Sequence, residues 1–238
     1  MDNKIDRLIA MAKEKMAGSR DPMHDLAHVQ RVIAYTECIK KDFQLTERQV
    51  QGLVLSAWWH DVSRTITRNP SLIWMPFVDD IMSAVMLWFA TIKEQLFGNI
   101  VALSTRVILC KSIGTGALLT KLLLSKRDRI VLDILRDADT LDALNPERAK
   151  NMQLLAEQSR RYKLAYRLVI WWYVATDFLE LKTEAAKKFL EQLFRDFLAW
   201  ITAKENYLWH LERFGEKWCC KNKRRAEVRL VEMTLAAE

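Results

Sequence analysis

AWWHDVSR, residues 57–64, ends a run of apolar residues on an adjacent imidazole and carboxylate, His60 and Asp61. The run begins at TERQ, residues 46–49, a Thr-x-x-Gln capping box that marks a helix start. Its apolar stripe then continues up to His60, as one buried helix face requires. The spacing therefore predicts a helix that delivers His60 and Asp61 at its C-terminal end. Two readings of the pair are open, a metal site or the polar end of a buried helix.

Working outward, the same logic extends to the whole chain. Six glycines and four prolines in 238 residues leave few places for a sharp turn, and half of the residues are hydrophobic, enough for a sizeable core. These features predict an all-α protein. A first helix is expected from Lys4 to Ala17, with Ile5, Leu8, Ile9 and Ala12 on one face. A second is expected to open with Asp21 as N-cap and Pro22 at the first helical position, which would place His24, His28 and Arg31 on one face. The polar VSRTITRNPS, residues 62–71, reads as a loop holding Arg64 and Arg68.

Helical patterning resumes from Phe77 to Lys111 with a break near Gly98, and SIGTG interrupts it again. The stretch SKRDRIVLDILRDADTLDAL reads as a helix on which Asp133, Asp137, Asp139 and Asp142 cannot all face solvent. After Pro146 two long helical patterns are expected, 147–181 and 183–218, with Trp171, Trp172, Trp200 and Trp209 used for packing. The division expected is a core over 1–146 and a helical extension over 147–238 packed on it.

Composition narrows the setting. Cys38, Cys110, Cys219 and Cys220 have no CxxC pairing or regular spacing, so neither a disulfide framework nor a zinc ribbon is indicated, and a reducing, cytoplasmic setting is expected. MDNKIDRLIAMAKEKMAG interleaves charge with apolar residues, so no secretory signal is expected and the mature chain is expected to start at Met1. The most apolar windows, IMSAVMLWFATI and LVIWWYVAT, fall short of the roughly 20 residues that span a bilayer. They read as buried helix segments, with no membrane association. The formal charge of +7 suggests affinity for nucleotides or nucleic acid, although much of the excess sits in EKWCCKNKRRAEVR, which reads as a solvated tail.

Three of the four histidines fall in two short motifs, HDLAHVQRV (24–32) and HD (60–61), and DADTLDAL (137–144) follows. Imidazole with carboxylate suits manganese, iron, cobalt, nickel or zinc, whereas magnesium prefers oxygen ligands. In this order and helical setting the sequence resembles the HD-domain metal-dependent phosphohydrolase superfamily, from about Pro22 to Leu144. The resemblance implies a helical HD-domain core and a divalent metal, manganese foremost, held by His28, His60, Asp61 and Asp139. It implies hydrolysis of a phosphate ester, of a nucleotide or a similar small molecule, by metal-activated water.

Relatives with two metals carry further histidines after HD; this chain has none between 61 and 209, so one metal is expected and di-iron oxygenase chemistry is disfavoured. An acidic residue soon after HD, which orients water in some relatives, is replaced here by Val62, Ser63 and Arg64.

Around the four ligands, Arg64 and Lys111 are candidates to stabilise charge on a phosphate. Lys111 with Ser112 and the Gly114–Gly116 turn offers a small anion site, or an ordinary turn between helices. His24 is the candidate proton carrier to the leaving oxygen, or a packing residue. Asp25 and Asp137 are candidates to orient ligands or Arg31, Asp142 a structural group, and Cys110 either a replacement ligand or a buried thiol. Alternatives to a small-molecule hydrolase are an HD-type nuclease or cyclic-nucleotide phosphodiesterase, and an inactive nucleotide- or RNA-binding protein. The tryptophan-rich helices offer a face for a homodimer, burial within the monomer being their simpler use.

Overall fold

The computed structural model describes residues 3–67, 75–112, 116–175 and 181–237, and among them the chain is all-helical, without a strand. In chain order the helices are α1 (Asn3–Ala17), α2 (Leu26–Ile39), α3 (Glu47–Trp59), α4 (Met75–Lys93), α5 (Asn99–Lys111), α6 (Gly116–Leu123), α7 (Arg129–Asp142), α8 (Pro146–Gln158), α9 (Arg160–Ala175), α10 (Glu184–Thr202), α11 (Lys204–Phe214) and α12 (Glu216–Ala237). They form two compact units, residues 1–139 and 140–238. The motifs from His24 to Asp139 lie in the first.

The first unit is built around α3. Its start is the expected capping box: the Thr46 hydroxyl accepts from the Gln49 amide and the Gln49 side chain accepts from the Thr46 amide. Leu55, Trp58 and Trp59 of α3 enter a core with Ile5, Leu8, Ile9, Ala12 and Met16 of α1, Val29 of α2, Leu87 of α4 and Ile108 of α5. Trp59 Nε1 donates to the Leu8 carbonyl at 3.1 Å, so the ring is satisfied as well as buried. Helices α3 and α5 cross closely at Gly52, where an added Cβ would stand 2.8 Å from Leu103 Cδ2. The Ser104 hydroxyl of α5 donates to the Gly52 carbonyl across this crossing.

Several boundaries differ from the sequence expectation. Asp21 does not cap α2: its carboxylate accepts from the Met23 amide and pairs with the His24 ring in a turn, and Asp25 caps the helix instead by accepting from the His28 amide at 2.8 Å. His24 therefore precedes the helix. Residues 62–66 form a 3-10 turn rather than a loop, whereas Arg68 and residues 113–115 of the expected anion turn lie outside the described residues.

The two long C-terminal patterns break into five helices. Ser159 is extended and its hydroxyl accepts from the Tyr162 amide, Ala203 interrupts the next run, and Gly215 takes a positive φ of 81° that ends α11.

The apolar windows are not wholly buried either. Ile81, Met82, Val85, Trp88, Phe89 and Ile92 of α4 are exposed, as are Leu168, Trp171 and Trp172 of α9. On α4 the inward side is taken by Asp79, Asp80, Ser83, Ala84, Leu87, Ala90 and Thr91, so most of its large side chains are left outward. No described helix is long and apolar enough to cross a membrane.

Candidate metal centre

Three helices bring the expected ligands to one point. His28 stands in the first turns of α2, His60 closes α3 as its C-cap with Asp61 directly after it, and Asp139 lies in the last turn of α7. One donor atom from each of His28, His60, Asp61 and Asp139 falls within 4.8 Å of the other three. His28 Nε2 is 3.4 Å from His60 Nε2, 3.2 Å from Asp61 Oδ2 and 3.5 Å from Asp139 Oδ1, and His60 Nε2 is 3.4 Å from Asp61 Oδ2. An ion with bonds of about 2.1 Å needs neighbouring donors about 3.0–3.4 Å apart and opposite ones about 4.2 Å apart, so these residues fit a divalent metal.

The donor set is oriented for that use. His60 Nδ1 donates to the Ala57 carbonyl at 2.8 Å, which leaves Nε2 with its lone pair directed at the cluster. Two imidazole nitrogens facing each other at 3.4 Å need a proton or a cation between them, because both lone pairs cannot be satisfied otherwise. His28, His60 and Asp61 are almost fully buried, and Asp139 is the more open ligand.

A second cation is built in. Lys111, at the end of α5, places Nζ 2.8 Å from Asp139 Oδ2 and 3.5 Å from Asp61 Oδ1. Burial works to lower the pKa of this lysine, and the carboxylates of Asp139, Asp61 and Asp80 outweigh it, so the ammonium is held charged. Burial likewise works to raise Asp61 and Asp139. For Asp61 the opposing charges of His60 and Lys111 win, for Asp139 those of Lys111, His60 and His28, and both carboxyls are held well below their usual range.

His24 completes the rim. Its Nδ1 pairs with Asp21 at 3.0 Å and its Nε2 lies 4.0 Å from Asp61 Oδ2, with the ring edge-on to His28.

The other candidates are placed less directly. Arg64 pairs with the buried carboxylate of Asp79 on α4, and that carboxylate also accepts from the Ser63 hydroxyl. Asp25 caps α2, and Asp142 pairs with Arg148 at 3.3 Å. Asp137 is buried. Cys110 is a buried free thiol outside the ligand group, its pKa raised by burial, and its carbonyl accepts from Arg136. The basic C-terminal cluster, expected as a solvated tail, lies on α12, where Lys221, Arg224, Arg225 and Arg229 line a cavity of about 580 Å³. The fourth histidine, His210, is packed among Trp200, Trp209, Phe214 and Trp218.

Two residues were missed by the motif reading. Asp79 and Asp80 are buried on α4, and burial raises them to about 7 and about 6 respectively. Asp80 is also within electrostatic reach of Lys111, Asp61, His60 and Asp139. Its only signal in the sequence is a pair of adjacent carboxylates at the head of an otherwise apolar helix, VDDIMSAV.

Compared with protein-family models, curated proteins and solved structures, the chain has no match. The likeness to HD-domain proteins therefore rests on this chain's own residues. What the geometry defines is an all-α protein with a His/Asp group able to hold a divalent metal.

Proposed function

We propose that the chain is a metal-dependent phosphohydrolase of the HD-domain kind, cleaving a phosphate ester of a nucleotide or a similar small phosphorylated substrate. The observation that carries this reading is the convergence of His28, His60, Asp61 and Asp139 from separate helices on one ion-sized point. The mixed donor set suits manganese, iron, cobalt, nickel or zinc better than magnesium, and manganese is the ion chosen for the test. A divalent ion held there supplies Lewis acidity to a phosphoryl oxygen and lowers the pKa of a water.

The chain's own groups account for the rest. Lys111 Nζ, already charged beside Asp61 and Asp139, offsets charge that builds up on phosphate oxygens. His24 keeps one ring nitrogen on Asp21 and turns the other toward the cluster, where it can hand a proton to the leaving oxygen. Asp80, raised to about 6 by burial, is suited to accept a proton from the attacking water. It stands in for the carboxylate that the sequence lacks directly after HD. Arg64 is occupied by Asp79 and fixes the turn that follows Asp61.

The test is release of phosphate or nucleoside from a broad nucleotide panel with manganese, comparing wild type with Asp61→Ala at equal helicity. Turnover that vanishes in the variant supports the reading. One observation favours a second reading: Lys111 already bridges two of the ligand carboxylates, as an inert ionic cluster would. A folded, manganese-loaded wild type that binds nucleotide or RNA without turnover would select that binding role and overturn hydrolysis.

A further inference from the structure

Helix α4 is inverted relative to an ordinary surface helix. Its two carboxylates, Asp79 and Asp80, and the hydroxyls of Ser83 and Thr91 are buried, whereas Val78, Ile81, Met82, Val85, Trp88, Phe89 and Ile92 are 38 to 62 % exposed. These seven recur at spacings of three and four, so they form one continuous stripe along more than three turns. Every exposed position of α4 from 78 to 92 is apolar, and no charge interrupts the stripe. The Trp88 and Phe89 rings lie side by side, 5.8 Å apart.

We propose that two copies of this chain pair through the outer faces of α4, about a two-fold axis near Val85. Large side chains offer about 150–250 Å² each, so the exposed fractions amount to roughly 600 Å² per copy. That is the upper limit for a patch on a typical monomer, and two such faces bury at most about 1,200 Å², where stable interfaces begin.

The absence of charge selects the occupant. In a two-fold contact each residue near the axis meets its own counterpart, so any charge there would face its like. A chain of net charge +7 repels its own copies elsewhere, and this face is where two can approach. A helix lying on a lipid surface carries lysine and arginine along its polar flank, and the exposed positions 78–92 hold neither.

Sedimentation velocity on the full chain at about 1–100 µM spans the micromolar affinity suited to an interface of this size. Wild type is expected to pass from monomer to dimer over that range. Phe89→Glu should keep its circular dichroism and weaken association by about 30-fold or more, as loss of a central aromatic anchor does.

Cross-linking covers the case in which that variant fails to fold. In a background where the exposed Cys38 and Cys220 are serine, Val85→Cys should form a disulfide-linked dimer on mild oxidation, and the exposed α1 position in Glu14→Cys should not. A wild type that stays monomeric, with Val85→Cys cross-linking no faster than Glu14→Cys, overturns the proposal. So does a monomer that floats with neutral phosphatidylcholine vesicles, which would assign the face to lipid.

Discussion

Lys111 determines how the centre behaves without metal. Its ammonium lies against two carboxylates that would otherwise repel each other inside the first unit. Removing one partner of a buried charge group costs about 3–5 kcal/mol, because the others are left uncompensated. Lys111→Met is therefore expected to melt well below wild type in the presence of chelator and to recover when manganese is added. Wild type should lose much less on chelation, and equal melting of the two proteins in chelator would refute this role. Asp80→Asn tests the other new residue: turnover should fall by about 10²–10⁴-fold with manganese affinity retained.

His28, His60, Asp61 and Asp139 were named through the resemblance to HD-domain proteins, whose H…HD…D order they match, and the structure brings those four together. Lys111 was legible as a cation near a turn. Asp80 was not, since nothing in its spacing from His60 or Asp139 says that it is buried within electrostatic reach of them.

Among the elements, close approaches set the limits. At the start of α6 an added Cβ on Gly116 would stand 2.3 Å from the Cys110 carbonyl oxygen and 2.7 Å from Arg136 Nη2. Backbone cannot yield as a side-chain tip can, so Gly116→Ala should cost about 1–3 kcal/mol in urea unfolding. Thr46→Ala removes the cap of α3, the helix that ends on His60, and should cost about 1 kcal/mol in the same assay.

The capping box was readable because both of its residues are local. The start of α2 was misread because Asp21-Pro22 and Asp25 both carry start signals, and only the turn between them decides. The outward face of α4 was unreadable for a different reason: periodicity shows that a helix has two sides, and the partner of each side lies elsewhere in the chain.

At the scale of the molecule the two units answer to different chemistry. In the second, His210 donates from Nδ1 to the Asn206 carbonyl and accepts at Nε2 from the Tyr166 hydroxyl at 2.6 Å. Burial holds its pKa at about 4, against about 6.5 in an unfolded chain. The neutral ring is favoured by folding, so stability is full above pH 6.5 and falls as pH drops toward 4, by about 3 kcal/mol at most. Urea unfolding at pH 7.5 and 4.5 should show this loss in wild type, and His210→Phe should shrink it; an unchanged difference would exclude His210 as its source.

The division into units also has a consequence in time. Every side chain assigned to the centre lies between His24 and Asp139, within the unit that a ribosome makes first. At about 5–20 residues per second, the stretch 140–238 takes several seconds to synthesise. Small domains fold in microseconds to seconds. The nascent chain can thus bring His28, His60, Asp61 and Asp139 together, with Lys111 beside the carboxylates, before synthesis of the second unit is complete.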